Sequence, residues 1–150
     1  MSRDTLTLTI STPLQLVMRA ENVRSFRAED ESGSFGIMPG HVALLSVLRA
    51  CVVRWREPEA AWSYCAVRGG VLTVEKGRHI RIACRQAVLG ADLAALEAGV
   101  ETHLAAEAEA ARAARLQQAR MHAQVIRKII LHMSDDGGTS MDASLDGAFQ

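Results

Sequence analysis

The chain has 150 residues, the size of one domain or of one domain with an appendage. Lys and Arg (17) balance Asp and Glu (17), so the net charge is zero, without the basic excess that binding to nucleic acid or an anionic membrane requires. No apolar run approaches the ~20 residues that span a bilayer, and Met1-Ser2-Arg3-Asp4 lacks the apolar core of a secretion signal, so the expected location is the cytoplasm.

Up to about residue 88 the apolar pattern has period two, which predicts strands. Thr5-Leu6-Thr7-Leu8-Thr9-Ile10 sends Leu6, Leu8 and Ile10 to one face. An apolar strand follows at Ala43-Leu44-Leu45-Ser46-Val47-Leu48. Cys51, Val53 and Trp55 alternate against Val52, Arg54 and Arg56, and Trp62, Tyr64 and Ala66 against Ser63, Cys65 and Val67. Ile80, Ile82 and Cys84 point inward from the last run. Turn chemistry separates the runs at Ser11-Thr12-Pro13, Asp30-Glu31-Ser32-Gly33, Pro39-Gly40, Glu57-Pro58, Gly69-Gly70 and Lys76-Gly77. Short strands at spacings of about 8–12 residues, with no helical pattern between them, read as a sandwich or barrel.

The three cysteines, Cys51, Cys65 and Cys84, are odd in number and form no C-x-x-C pair; each lies in an apolar stretch and is expected to be a reduced core residue. The five histidines are scattered, so no metal ligand set is expected. Nor is there a G-x-S-x-G, a G-x-x-x-x-G-K-[ST] or an H-E-x-x-H, and no catalytic residue is assigned.

After Gly90 the pattern becomes helical. Residues 91–133 contain no proline and only one glycine, Gly99, and are rich in strong helix formers. Asp92 is the expected N-cap. A proximal stripe runs Leu93, Leu96, Val100, Leu104, and a distal one Leu116, Ala119, Ala123, Ile126, Ile130, Met133. At about 100° per residue, the twelve positions from Leu104 to Leu116 displace the second stripe by about 120° from the first. That displacement predicts a helical hairpin with its turn within 105–113, although no Gly, Pro, Asn or Ser there marks it. The expected organisation is a β-sandwich head over 1–88, a helical hairpin over 89–133, and a disordered Gly/Ser/Asp-rich tail over 134–150.

Gly33-Ser34-Phe35-Gly36-Ile37-Met38-Pro39-Gly40-His41 resembles the G-x-[FL]-G-I-x-P-G-H segment of the epsilon subunits of F-type rotary ATP synthases. Ala66-Val67-Arg68-Gly69-Gly70-Val71-Leu72-Thr73-Val74 is similar to that family's x-x-x-G-G-x-L-x-V hairpin, and Ala87-Val88-Leu89-Gly90-Ala91-Asp92-Leu93 to its sandwich-to-helix junction. The matches come in the family's order and, with the layout, cover residues from about 5 to 133. The resemblance implies a ten-stranded β-sandwich followed by a C-terminal α-helical hairpin, in a non-catalytic subunit of the central stalk. Such a subunit binds the gamma subunit and the c-ring and couples ion translocation to ATP synthesis. It lies peripherally at the cytoplasmic face of the inner (plasma) membrane, without inserting into the bilayer.

On this resemblance Ser34, Pro39, Gly40 and His41 are expected to face the c-ring. The family often carries a carboxylate where this chain has Ser34, which still offers a hydroxyl for hydrogen bonding. Read without the family, Gly33, Gly36, Pro39 and Gly40 are turn chemistry alone, and His41 caps a strand. In some relatives an Ile/Leu-Asp-x-x-Arg-Ala segment binds ATP; here the positions read Leu93-Ala94-Ala95-Leu96-Glu97-Ala98. Ala94 replaces the Asp and Glu97 the Arg, so no nucleotide or other cofactor is expected. Arg112, Arg115, Arg120, Arg127 and Lys128 suit acidic loops of the alpha or beta subunits in a regulatory role, or are simply a solvated helix face. The Ala-rich tail and long C-terminal extension suggest a divergent branch of the family. The alternative is a β-sandwich and coiled-coil adaptor of another complex, which composition alone permits.

Overall fold

The computed structural model describes residues 4–136. In chain order the elements are β1 (Leu6–Ser11), β2 (Leu16–Val23), β3 (Ser25–Asp30), β4 (Gly33–Ile37), β5 (Leu44–Leu48), β6 (Cys51–Arg56), β7 (Trp62–Glu75), β8 (His79–Gly90) and α1 (Leu93–Asp136). Contacts divide the chain into two units. The first runs through Ala105 and holds every strand and the start of α1; the second, from Ala106, holds the rest of the helix.

The strands form two layers. The first has the order β2-β1-β8-β7-β5, with β1 parallel to β8 and the other pairs antiparallel. The second has the order β8-β7-β6-β3-β4, all antiparallel. β7 and β8 therefore belong to both. The Gly70–Val74 part of β7 pairs with β5, and its Trp62–Val67 part pairs with β6. Among the described residues there are thus eight strands rather than the expected ten, because two long ones each fill a position in both layers.

Gly69-Gly70 lies at the crossing. The sequence reads this pair as a turn, and as part of a hairpin, but it sits inside the unbroken 14-residue β7. Gly69 has φ +47°, and a Cβ on Gly70 would stand 2.5 Å from the Ala83 carbonyl oxygen and 2.9 Å from the Cys84 Cα. The glycines let the paired strands bend closely past one another instead of ending them.

The inward side chains of both layers form one core. Leu6, Leu8 and Ile10, then Ile80, Ile82 and Cys84, are buried in alternate positions as their period requires. Phe26, Ile37, Val53, Trp55, Cys65 and Val67 close it from the second layer. A polar link joins the layers at one end. The Asp30 carboxylate, at the end of β3, accepts hydrogen bonds from the Ser32 N–H (2.8 Å), the Ser32 hydroxyl (2.5 Å) and the buried Ser46 hydroxyl on β5 (2.7 Å).

The Ser32 hydroxyl, then the Ser46 hydroxyl and the Ser32 N–H, hold the Asp30 carboxyl below its ordinary value of 3.8. A depressed folded-state pKa contributes stability above the unfolded value, and that stability is lost as pH falls through the folded one. Asp30→Asn should therefore lower the melting temperature at pH 7 but flatten its fall below about pH 4. Thermal melts of both proteins between pH 7 and pH 2.5 check this; parallel curves would refute it.

The helical half departs from the expected hairpin: α1 runs unbroken from Leu93 to Asp136, 44 residues. Residues 105–113 are Ala, Glu and Arg, with nothing to stop a helix or to satisfy the backbone groups a turn would free. Asp92 is the cap as expected, its Oδ1 accepting from the Ala94 N–H at 3.0 Å and the Ala95 N–H at 3.4 Å. Leu93, Leu96, Val100 and His103 are half-buried, so the covered line ends at His103, and Leu104, expected in it, is exposed. The distal stripe from Leu116 to Met133 is exposed throughout. The expected 134–150 tail lies, from residue 137 on, outside the described residues.

Gly99 lies on α1 beside Leu96, Val100, Ala66 and Val88 around a cavity of about 150 Å³. An added Cβ would meet nothing within 4 Å. Gly99→Ala should stabilise the protein by about 1 kcal/mol, through helix propensity and a less mobile unfolded chain. Denaturant unfolding checks this; destabilisation would mean that the position needs its missing side chain.

Candidate functional site

Met38-Pro39-Gly40-His41 forms a tight turn between β4 and β5, closed by the His41 N–H donating to the Met38 carbonyl at 3.1 Å. Proline sets the first central residue, and Gly40 takes the positive φ (+85°) that the second demands. The turn is braced from the β7–β8 connection, where the Gly77 carbonyl accepts from the Gly40 N–H at 2.8 Å. His41 is half-buried, its Nδ1 2.7 Å from the Val42 carbonyl oxygen. Pro39, Gly40 and His41 therefore form one rigid knuckle, a surface that loses little freedom on meeting a partner.

Ser34 is not part of that knuckle. It is exposed near the start of β4, opposite Glu29 on β3, and lines a groove with Leu93 and Glu97. Of the basic residues expected to be regulatory, Arg112 pairs with Glu109 at 3.2 Å, and the Arg115 Nε donates to the Ala111 carbonyl at 3.3 Å. Arg120, Arg127 and Lys128 are exposed. At about 100° per residue, Arg120 and Arg127 flank the distal apolar stripe on one side while Lys128 points away from it, so the five do not form a single face.

The outer face of the first layer carries a feature that sequence reasoning missed. Strand pairing aligns Val47, Val71, Ala83, Ser11 and Leu16 in one row across all five strands. Val47 is 63% exposed and Leu16 60%, and Leu45 lies beside the row at 69%. On β5 the usual distribution is inverted: Ser46 is buried while Leu45 and Val47 face outward. That inversion was the available signal, since a strand apolar on both faces, at the edge of a layer, has an uncovered apolar side.

Cys51, Cys65 and Cys84 are buried and free. Burial pushes the Cys51 and Cys65 thiols up to about 11 and raises Cys84 as well, so all three are poor nucleophiles. Among the described residues no group of three His, Cys, Asp or Glu could hold a metal ion, and no helix is long and apolar enough to cross a membrane.

Residues 5–90 match the family described as ATP synthase, Delta/Epsilon chain, beta-sandwich domain. A protein of Cereibacter sphaeroides called ATP synthase epsilon chain 2 is 48% identical over 94% of this chain and 97% of its own. One of Paraburkholderia xenovorans with the same description is 49% identical over 89% of this chain and 96% of its own. A chain in the structure of the Euglena gracilis mitochondrial ATP synthase, described as OSCP/F1/c-ring, superposes with a TM-score of 0.55 at 18% identity; the match spans 67% of this chain and 64% of that one, and speaks to the fold. The chain belongs to the ATP synthase epsilon family, whose members are non-catalytic stalk subunits of that enzyme.

Proposed function

We propose that this epsilon chain docks on the gamma subunit through the outer face of its first layer and meets the c-ring through the β4–β5 knuckle. The observation that carries the reading is the row Val47, Val71, Ala83, Ser11 and Leu16, an uncovered apolar strip on a rigid sheet. A preformed flat apolar face with polar neighbours suits a lasting interface. Pro39, Gly40 and His41 supply the stiff c-ring contact, and Ser34, at the other end of β4, a separate polar one. The chain thus couples rotor movement, driven by ion translocation, to ATP synthesis and hydrolysis without doing chemistry, and lies peripherally at the cytoplasmic face of the inner (plasma) membrane.

The distal half of α1, with its exposed apolar stripe and Arg120 and Arg127 beside it, is the regulatory part, directed at acidic surfaces of the alpha or beta subunits. Glu97, in place of a phosphate-facing arginine, keeps that regulation independent of nucleotide. Both relatives are named as a second epsilon chain, which supports a branch of the family distinct from its standard members. The test is to add the purified chain to its cognate ATPase core lacking this subunit. Stoichiometric association, with a fall in ATP hydrolysis that disappears on deleting 106–150, is the expected result. No association at micromolar concentration would overturn the reading in favour of an adaptor of another complex.

A further inference from the structure

Two residues along from the apolar row, the outer face of the first layer carries a second row: Arg19, Thr9, Arg81, Thr73 and Leu45, one from each strand. β8 is the central strand of the five, so Arg81 stands in the middle of the face, two residues from Ala83 of the apolar row. Its neighbours across β1 and β7 are Thr9 and Thr73, both uncharged. The other charges nearby are matched or marginal. Arg19, at one end of the row, pairs with Glu21 at 3.1 Å, and His79 is opposed by Glu75. Arg85 lies past the end of β1, at the margin of the face. Arg81 is exposed, and among the described residues no carboxylate lies within 4.0 Å of its guanidinium. The face therefore presents an unmatched cation at its centre, next to the apolar strip.

In the free chain that guanidinium is hydrated. A partner that covers the strip from β5 to β2 must also cover β8, and removes this water. An ion taken out of water without an opposite charge is strongly penalised, whereas a carboxylate set against a guanidinium accepts two parallel hydrogen bonds from it. Matched charge of this kind decides which partner is accepted more than how tightly a fitting one is held. We infer, on the basis of the gamma docking proposed above, that Arg81 is the specificity-determining residue of this face and that the gamma subunit places an Asp or Glu side chain against it. A gamma subunit with a neutral or basic residue at that point is refused, even where its apolar contacts fit.

The experiment measures affinity and dissociation rate of the full chain on its cognate gamma-containing ATPase core lacking this subunit, for the parent, Arg81→Met, Arg81→Glu and Val47→Asp. Methionine keeps much of the arginine stem without its charge, and thermal melts confirm that each variant is folded. Against a carboxylate, Arg81→Met should weaken binding by about 30-fold, chiefly through faster dissociation. Arg81→Glu should weaken it further, by like charge. Against an apolar or basic gamma surface Arg81→Met would instead tighten binding, and that result, or unchanged affinity, would overturn the inference. Val47→Asp separates the two readings. Weakening by Val47→Asp alone would leave gamma docking standing and Arg81 without this role, whereas unchanged binding by all the variants would remove the docking itself and the role of Arg81 with it.

Discussion

Gly70→Ala should destabilise the protein by about 3 kcal/mol, whereas Gly69→Ala next to it should cost about 1–2 kcal/mol. The contrast follows from what each new methyl group would meet. At Gly70 it lands 2.5 Å from the Ala83 carbonyl oxygen, 2.8 Å from the Cys84 Cβ and 2.9 Å from the Cys84 Cα. Most of those atoms are backbone of the partner strand, held by the β7–β8 ladder through Gly70↔Cys84 and Val71↔Ala83, so relief requires the two strands to part. At Gly69 the nearest atoms are the flexible end of Arg85 at 3.9 Å, and the cost is that of a non-glycine residue at φ +47°. Both strands run through both layers, so opening them loosens the core on each side. Urea unfolding of the two variants measures the difference. A near-neutral Gly70→Ala would mean that the two strands part at the crossing at little cost.

Val47→Asp should weaken association with the gamma-containing ATPase core by about 100-fold, roughly 2.8 kcal/mol, while leaving the fold intact. Val47 is 63% exposed on β5, so the charge costs the free chain little, whereas in a docked interface it would be desolvated without a partner. Val71, its cross-strand neighbour, should behave the same way, and the double variant should lose less than the sum because the two side chains touch one partner surface. Equilibrium binding with labelled chain, alongside thermal melts, separates lost docking from lost folding. Unchanged affinity for both variants would move the interface elsewhere and leave the exposed row unexplained.

Much of the head could be read from the chain because its local rules agree with one another. Alternation at Leu6, Leu8, Ile10 and at Ile80, Ile82, Cys84 decides which side is buried, since a strand's side chains can only alternate. Pro39-Gly40 permits one kind of turn and Asp92 one kind of helix start, and both stand where the sequence puts them. The motif around Ser34–His41 carried the family, which the comparisons then showed.

What the chain alone did not disclose depends on partners distant in sequence. Gly69-Gly70 looks like a turn by composition. That it is a bend inside one strand follows only from β5 and β6 pairing with successive parts of β7, which is also why eight strands fill ten positions. The outer row of Val47, Val71, Ala83, Ser11 and Leu16 draws on five strands and has no local signature beyond the inverted pattern of β5. Arg81 comes to the centre of that face only through the register of β8 with β1 and β7. In the helix the expected turn was inferred from two stripes that do not line up, yet 105–113 contains only residues that favour continuing. The sequence by itself determined the inward faces of the strands that alternate cleanly, the Pro39-Gly40 turn and the Asp92 cap, because those depend on period and on single-residue chemistry. The tertiary structure decided which strands adjoin and what their outer faces present, because strand pairing is satisfied by backbone groups that every residue shares.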